Sequence, residues 1–313
     1  MNVTGLHIGI DYRNTASRLG GCIADAESWR DLFLPICNGG SLRIHEQNAT
    51  KRNVVEAIKG LVSVCPIGSD RLGVITYSGH GTFRRGNDQS EVDGNDEAIC
   101  CFDFQQGGLL WDNELATLLN GGQLLFITDC CHSHTLTRAM PVVVDSSLAP
   151  PSPRYIPFDQ ICEGLAQCEI NKIVAPAHEH RAKARSIREA NDGAIPGVCH
   201  LAGCLDSEFS YDASFNGKPN GAMTHFAIEA YKQLPPGSTY QQWIDLLQTK
   251  LPDRLGRYPQ HPQLTATAAE LRRVIVGKEI AKPEPPPVPA AGPGPVDLVV
   301  GVWRAKHIEW ERA

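Results

Sequence analysis

Short, wholly apolar runs alternate along this chain with segments that repeat their apolar residues at helical spacing, and few folds accommodate that alternation. Strands buried on both faces read as continuous apolar runs, and the helices between them cross over the sheet. The pattern therefore predicts an α/β fold: a sandwich with a mostly parallel central sheet of about six strands and helices on both faces. Candidate strands cover 6–12, 41–46, 72–77, 98–102, 123–129 and 198–205. The first helix carries Cys22, Ala26, Trp29 and Phe33 on one stripe, and the second carries Val54, Ile58, Leu61 and Val62 behind a Thr50 cap. A third begins near Asp112 and turns Leu115, Leu118 and Leu119 inward. Two more follow the last core strand: 222–231, then a segment opened by Ser238 and Gln241 at capping-box spacing that buries Trp243, Leu246 and Leu247.

Two stretches break the alternation. Residues 138–154 are rich in turn formers, and 178–191 is polar and basic, with Arg181, Lys183, Arg185 and Arg188; both are expected to be exposed loops between two halves of the core. Residues 282–295 are proline-rich and read as an extended linker. The apolar run 296–303 beyond them is expected to dock as an extra strand, with a partner contact as the alternative.

Charge and composition narrow the functional classes. A net charge of −6 argues against a nucleic-acid partner, which needs a basic face to displace phosphate counterions. The opening residues lack a charged-then-apolar signal, and no apolar run reaches the roughly 18 residues of a membrane helix, so no membrane partner is expected. The 11 cysteines are odd in number and lack the spacing of a disulfide framework. A reducing cytoplasm is the expected location.

Two motifs carry chemistry, each leaving the end of a buried strand: Ile75-Thr76-Tyr77-Ser78-Gly79-His80-Gly81 and Leu125-Phe126-Ile127-Thr128-Asp129-Cys130-Cys131-His132-Ser133. The carboxyl ends of strands in such a sheet form the crevice where ligands bind. An imidazole beside a thiol helps to form the nucleophilic thiolate. Strand alternation sends Asp129 and Cys131 one way and Cys130 the other, and it pairs Ser78 with His80 on the neighbouring strand. Cys131 is thus the expected nucleophile, Cys130 a packing residue, and His80 the base partner 51 residues upstream.

These motifs resemble those of the caspase-like cysteine peptidases, specifically the metacaspase branch. Leu19-Gly20-Gly21-Cys22-Ile23-Ala24-Asp25-Ala26, Asp93-Gly94-Asn95-Asp96-Glu97, Gly203-Cys204-Leu205-Asp206-Ser207, Asp212-Ala213-Ser214 and His261-Pro262-Gln263-Leu264 extend the likeness over roughly 5–275. The resemblance implies one peptidase domain at 1–275, with a larger half at 1–137, inter-half loops and a candidate processing region at 138–195, and a smaller half at 196–275. A linker at 276–295 and a tail at 296–313 follow. It also implies a Cys–His dyad that hydrolyses protein or peptide substrates without an organic cofactor. The backbone N–H groups of Gly81 and Cys131 are candidates for holding the oxyanion. By the same resemblance Cys22, Asp25, Ser78 and Asp129 line the specificity pocket. Two carboxylates there favour a guanidinium, so cleavage after Arg, with Lys second, is expected.

Calcium is a candidate activator, because Asp96, Asp112 and Asn113 fall near the family's ligand positions, although Arg138 stands where a further acidic ligand is expected. The arginines at 138, 154 and 181–188 suggest activation by self-cleavage or by an upstream protease. Blander readings stand beside these. Asp25 could be an ordinary first-turn acid, and the His178/His180 pair a solvated loop. The alternative for the whole chain is a weakly catalytic scaffold acting through its Pro-linked tail.

Overall fold

Strand β7 (Leu124–Asp129) lies at the middle of a six-stranded sheet, flanked by β3 (Arg71–Ser78) and β9 (Val198–Ala202). The computed structural model describes residues 1–85, 95–131 and 151–279. Beyond β3 come β1 (Asn2–Gly9) and β2 (Ser41–His45), all parallel; beyond β9 lies β12 (Gln263–Thr265), which alone runs antiparallel. β1 begins earlier than its apolar run suggested because it pairs with β3 from Asn2↔Arg71 onward. It ends at Gly9, before the chain turns out through positive φ at Tyr12 and Asn14.

Both faces of the sheet are covered. Within β7, Leu124 and Phe126 pack with the core under α2 (Lys51–Val64) and α3 (Asp112–Leu119), while Leu125 and Ile127 pack with the other core. That second core gathers Trp29 and Phe33 of α1 (Cys22–Phe33), Met223 and Ala227 of α6 (Ala222–Gln233), and Trp243 and Leu247 of α7 (Tyr240–Gln248). The Trp29 and Trp243 rings meet edge to face at 6.1 Å. Truncating either tryptophan to alanine should cost about 3–5 kcal/mol. Thr50 caps α2 by accepting the Asn53 N–H. The cap of α7 is Thr239 with Gln242, one residue later than the expected Ser238 and Gln241.

Three expectations change. The run at 98–102 lies outside the central sheet. Its strand β5 (Asn95–Cys100) is the middle of a small antiparallel sheet with β4 (Gly81–Arg85) and β6 (Leu109–Trp111), whose buried residues show the same apolar signature as a central strand. Residues 178–189 are not a loop but the second half of α5 (Gln167–Glu189). Pro176 inside that helix and a buried stripe of only Ile173, Val174, Ala177 and Ala184 concealed its periodicity. Residues 152–154, the described end of the expected loop at 138–154, are not an exposed loop either: β8 (Ser152–Pro153) pairs with β10 (Tyr211–Phe215), which pairs in turn with β11 (Lys218–Gly221). Two short helices, α4 (Phe158–Ile161) and α8 (Ala268–Leu271), complete the described elements. The expected linker from residue 280 on and the tail lie outside the described residues, as do Arg138 and the acidic stretch at 88–93; Val276, at the expected start of the linker, is buried in the second core. Among the described residues, no helix is long and apolar enough to cross a membrane. None of the 11 cysteines, all of which lie among the described residues, is in a disulfide.

Candidate active site

The register between β3 and β7 sets Ser78 opposite Asp129, and both chains then run out of the sheet together. Cys130 turns into the core beneath the sheet. Cys131 turns the other way, and its Sγ meets the backbone of Ser210, accepting the N–H at 2.9 Å and donating to the carbonyl at 3.2 Å.

His80 is clamped by its neighbours. Its N–H donates to the Tyr12 hydroxyl at 3.0 Å, and its carbonyl accepts from the Tyr77 hydroxyl at 2.7 Å. Ring atom Nε2 lies 2.7 Å from the Ser17 carbonyl. A carbonyl can only accept, so Nε2 carries the hydrogen and Nδ1 keeps its lone pair. Nδ1 is buried with no protein partner among the described residues. Burial pushes the imidazole down to about 4, against the pull of the Ser17 carbonyl, so the ring is neutral near pH 7.

Beside this pair lies a carboxylate-lined slot, and Arg154 fills it. Its Nη2 stands 2.6 Å from Asp25 Oδ2 and 3.0 Å from Asp212 Oδ1, and its Nη1 3.1 Å from Asp129 Oδ2. Nη1 also donates to Ser78 Oγ at 3.2 Å and to the Asp129 carbonyl at 3.1 Å. Arg154 has no exposed surface. Burial alone would lower its pKa, but Asp129 and Asp25 more than offset that and keep it charged.

Each acid is itself held. Asp25 accepts from Gly221 N at 2.7 Å and from Ser78 Oγ at 2.8 Å. Asp129 accepts from Thr224 N at 3.0 Å, from Thr224 Oγ1 at 2.7 Å, and from Ser210 Oγ. Asp212 accepts from Gly20 N at 2.8 Å and Gly21 N at 3.0 Å. Burial raises the Asp25 carboxyl above its ordinary range, with Arg154 pulling against it. Cys22 is buried in the core alongside, close enough to feel the Arg154 charge, and burial raises its thiol.

The Arg154 backbone is bound as specifically as its side chain. Its carbonyl accepts from Gly81 N at 2.9 Å and from Cys131 N at 3.2 Å, the two amides expected to hold an oxyanion. Its N–H donates to the Ser210 carbonyl at 2.9 Å, and two residues on, Ile156 N donates to the Gly81 carbonyl at 3.0 Å.

Residues 4–140 match the metacaspase, peptidase C14 domain. The chain is 28% identical to metacaspase-3 of Arabidopsis thaliana over 288 residues, 87% of this chain and 71% of that protein. It is 31% identical to metacaspase-1 of the same plant over 259 residues, 78% of this chain and 63% of that one. The chain belongs to the metacaspase family. It is therefore a cysteine-type endopeptidase, a hydrolase of peptide bonds in proteins. Protein GSU0716 from Geobacter sulfurreducens, known as a crystal structure, shares the fold, with a TM-score of 0.59 and 23% identity over 87% of this chain and 97% of that one.

The calcium ligands suggested by the metacaspase resemblance do not fit that ion here. Asp96 is fully buried and takes Arg84 Nε at 3.0 Å on one oxygen and Arg181 Nη2 on the other. Asp112 pairs with Arg188 at 3.0 Å, and Asn113 Oδ1 accepts from Arg188 at 3.2 Å. Guanidinium groups from β4 and α5 take both Asp96 oxygens, Asp112 Oδ2 and Asn113 Oδ1, while Asp112 Oδ1 is buried with no hydrogen-bond partner among the described residues. Among the described residues no group of three or more His, Cys, Asp or Glu side chains is placed to hold a metal.

Sequence reasoning misses several contributors to this metacaspase site. Asp212 stands out only as part of a motif, and Ser210 and Thr224 not at all. Ser17 acts through a backbone carbonyl, which leaves no side-chain signal. Arg154 is conspicuous in the sequence, but as a residue of an exposed loop.

Proposed function

We propose that this metacaspase cuts peptide bonds after arginine, with lysine second, through Cys131 as nucleophile and His80 as its proton partner. The observation that carries this reading is a peptide unit in place. An arginine side chain lies among Asp25, Asp129 and Asp212 while its carbonyl oxygen accepts from Gly81 N and Cys131 N. A substrate arginine placed the same way would present its carbonyl carbon to Cys131. The developing oxyanion would gain two charge-assisted hydrogen bonds from amides that need no reorganisation, an effect worth several kcal/mol of barrier. His80 Nδ1, with its lone pair free and Nε2 fixed on Ser17, would take the thiol proton and return it to the leaving amine. Lysine can reach one carboxylate or another but cannot bridge them as a planar fork does. The site calls for neither an organic cofactor nor calcium on this reading. Eleven cysteines without a disulfide among them suit a reducing compartment.

The test is hydrolysis of matched fluorogenic peptides ending in Arg, Lys or Asp, with Cys131→Ala and His80→Ala beside the unmodified enzyme. Arginyl cleavage abolished by both substitutions is expected. Cleavage after Asp with Arg ignored, or activity surviving in Cys131→Ala, would reject the assignment.

A further inference from the structure

We propose that Phe83 and Phe209 form the subsite for the residue that follows the cleaved bond, and that they select an aromatic side chain there. Preferred protein substrates then carry an arginine–aromatic junction. This rests on the peptidase reading above, in which only the residue before the bond is specified. The register of the site follows from Arg154, whose carbonyl accepts from Gly81 N and Cys131 N. With that carbonyl at the oxyanion position, the Tyr155 nitrogen stands where a leaving amine would, and the Tyr155 side chain marks the place of the next residue of a substrate.

That place is walled by rings. Tyr155 stacks on Phe83, with centroids 5.6 Å apart and planes 21° apart, and tilts against Phe209 at 5.8 Å and 49°. Phe209 is backed in turn by Tyr211, edge to face at 6.5 Å. A near-parallel face on one side and a tilted ring on the other fit a planar side chain better than a branched aliphatic one. Phe83 is only 9% exposed with Tyr155 upon it, and Phe209 is half-buried. A substrate that takes the place of 152–156 must cover these rings again. An aromatic residue does so, whereas alanine leaves apolar surface in water and glutamate sets a negative charge against the negative faces of the rings.

Both walls belong to the backbone that carries the chemistry. Phe83 lies on β4 two residues beyond Gly81, pinned opposite Glu97 of β5. Phe209 immediately precedes Ser210, whose N–H and carbonyl hold the Cys131 sulfur. The subsite therefore keeps a fixed distance from the nucleophile. The main chain is held along with the ring: Gly81 bridges to Tyr155 in parallel, donating to the Arg154 carbonyl and accepting from Ile156 N at 3.0 Å. A bound peptide must run extended through the bond, which aims the side chain after it between Phe83 and Phe209. A Cβ on Gly81 would collide with the Cys131 carbonyl, so only glycine lets the strands approach this closely.

The experiment uses internally quenched peptides that differ only in the residue after arginine: Tyr, Phe, Leu, Ala or Glu. The full-length enzyme is compared with Phe83→Leu and Phe209→Leu, which keep an apolar side chain but remove the ring face. The readout is the ratio of kcat/KM for the Tyr peptide over the Ala peptide within each protein, so a loss of folded enzyme cancels. The unmodified enzyme should favour Tyr and Phe over Ala about tenfold, the equivalent of roughly 1.4 kcal/mol. Each substitution should bring that ratio to about threefold or less. A ratio near one in the unmodified enzyme, Leu cut as fast as Tyr, or a preference that survives both substitutions overturns this inference and leaves the peptidase reading standing. If neither the unmodified enzyme nor Arg154→Gln, which lacks the guanidinium that fills the slot, cuts any of the arginyl peptides, the two readings fall together.

Discussion

Ser78 and Asp129 face one another in the parallel register of β3 and β7, and both hydrogen-bond the Arg154 Nη1 region. Two residues beyond each stand His80 and Cys131. One strand pairing therefore fixes the floor of the acidic slot and the two groups of the proposed dyad together. A slip of one residue would turn the whole set toward the opposite face, so the apolar residues that lock this register also lock the site.

Gly221 sets the size of the slot. A Cβ there would overlap Asp129 Oδ2 and the Arg154 guanidinium. Gly221→Ala should lower kcat/KM for arginyl peptides by about 10- to 200-fold, the range of one methyl group in a tight pocket, about 1–3 kcal/mol. Circular dichroism should remain that of the unmodified protein. Steady-state kinetics on arginyl and lysyl peptides check this; unchanged arginine cleavage would mean that the slot is not the specificity pocket.

Tyr12 acts on His80 from behind. Its hydroxyl accepts the His80 N–H and donates to the Cys100 carbonyl. Tyr12→Phe would leave a buried N–H without an acceptor, costing about 1–3 kcal/mol of stability. As a positioning residue it should lower kcat about tenfold, the equivalent of roughly 1.4 kcal/mol, with KM nearly unchanged. A rise in KM with kcat preserved would place Tyr12 in substrate binding instead.

How much of this is legible in the sequence depends on the kind of signal each residue leaves. The central strands and the α1 and α2 stripes are readable because a buried strand or an amphipathic helix repeats its apolar residues. The convergence of His80, Cys131, Asp25 and Asp129 is expected from strand alternation and family likeness. Arg154 is misplaced by sequence reasoning because a charge in a proline-rich stretch usually lies in solvent. Only tertiary contact with three carboxylates some 25 to 129 residues away in sequence makes it a core residue. The α5 helix is hidden for a related reason. Its polar face is satisfied by Arg181–Asp96 and Arg188–Asp112, pairs that no local pattern reveals.

Acid should weaken the fold through His7. This histidine is buried in β1, bonded through Nδ1 to Thr76 Oγ1 at 3.1 Å, and burial pushes it down to about 3. A ring that stays neutral when folded but takes a proton near 6.5 when unfolded favours the unfolded chain as acid is added. Its contribution is fully present above pH 6.5 and is lost progressively below it, until the folded ring also titrates at about 3. His80, held down to about 4, adds in the same direction. Urea unfolding between pH 7.5 and 5 should show the unmodified enzyme losing about 2 kcal/mol more than His7→Gln, roughly 1.36 kcal/mol for each pH unit below 6.5. The raised Asp25 carboxyl works in the opposite direction in both proteins. His7→Gln should flatten the slope; an unchanged slope would reject the assignment.

Calcium should have no effect on this enzyme. The oxygens of Asp96 hold Arg84 and Arg181, and Asp112 Oδ2 and Asn113 Oδ1 hold Arg188, so the positive charge at this corner is supplied by the protein. A divalent ion would have to displace a guanidinium from the fully buried Asp96 and leave that cation unpaired, at a cost of several kcal/mol. Activity and melting temperature should be the same with millimolar calcium or with a chelator. Arg181→Ala should lower stability by about 3 kcal/mol, because it leaves a buried carboxylate short of one partner. Calcium should then raise the melting temperature of that variant while leaving the unmodified enzyme where it was. A requirement for calcium in the unmodified enzyme would show that the arginines move aside on activation and are not the resident cations.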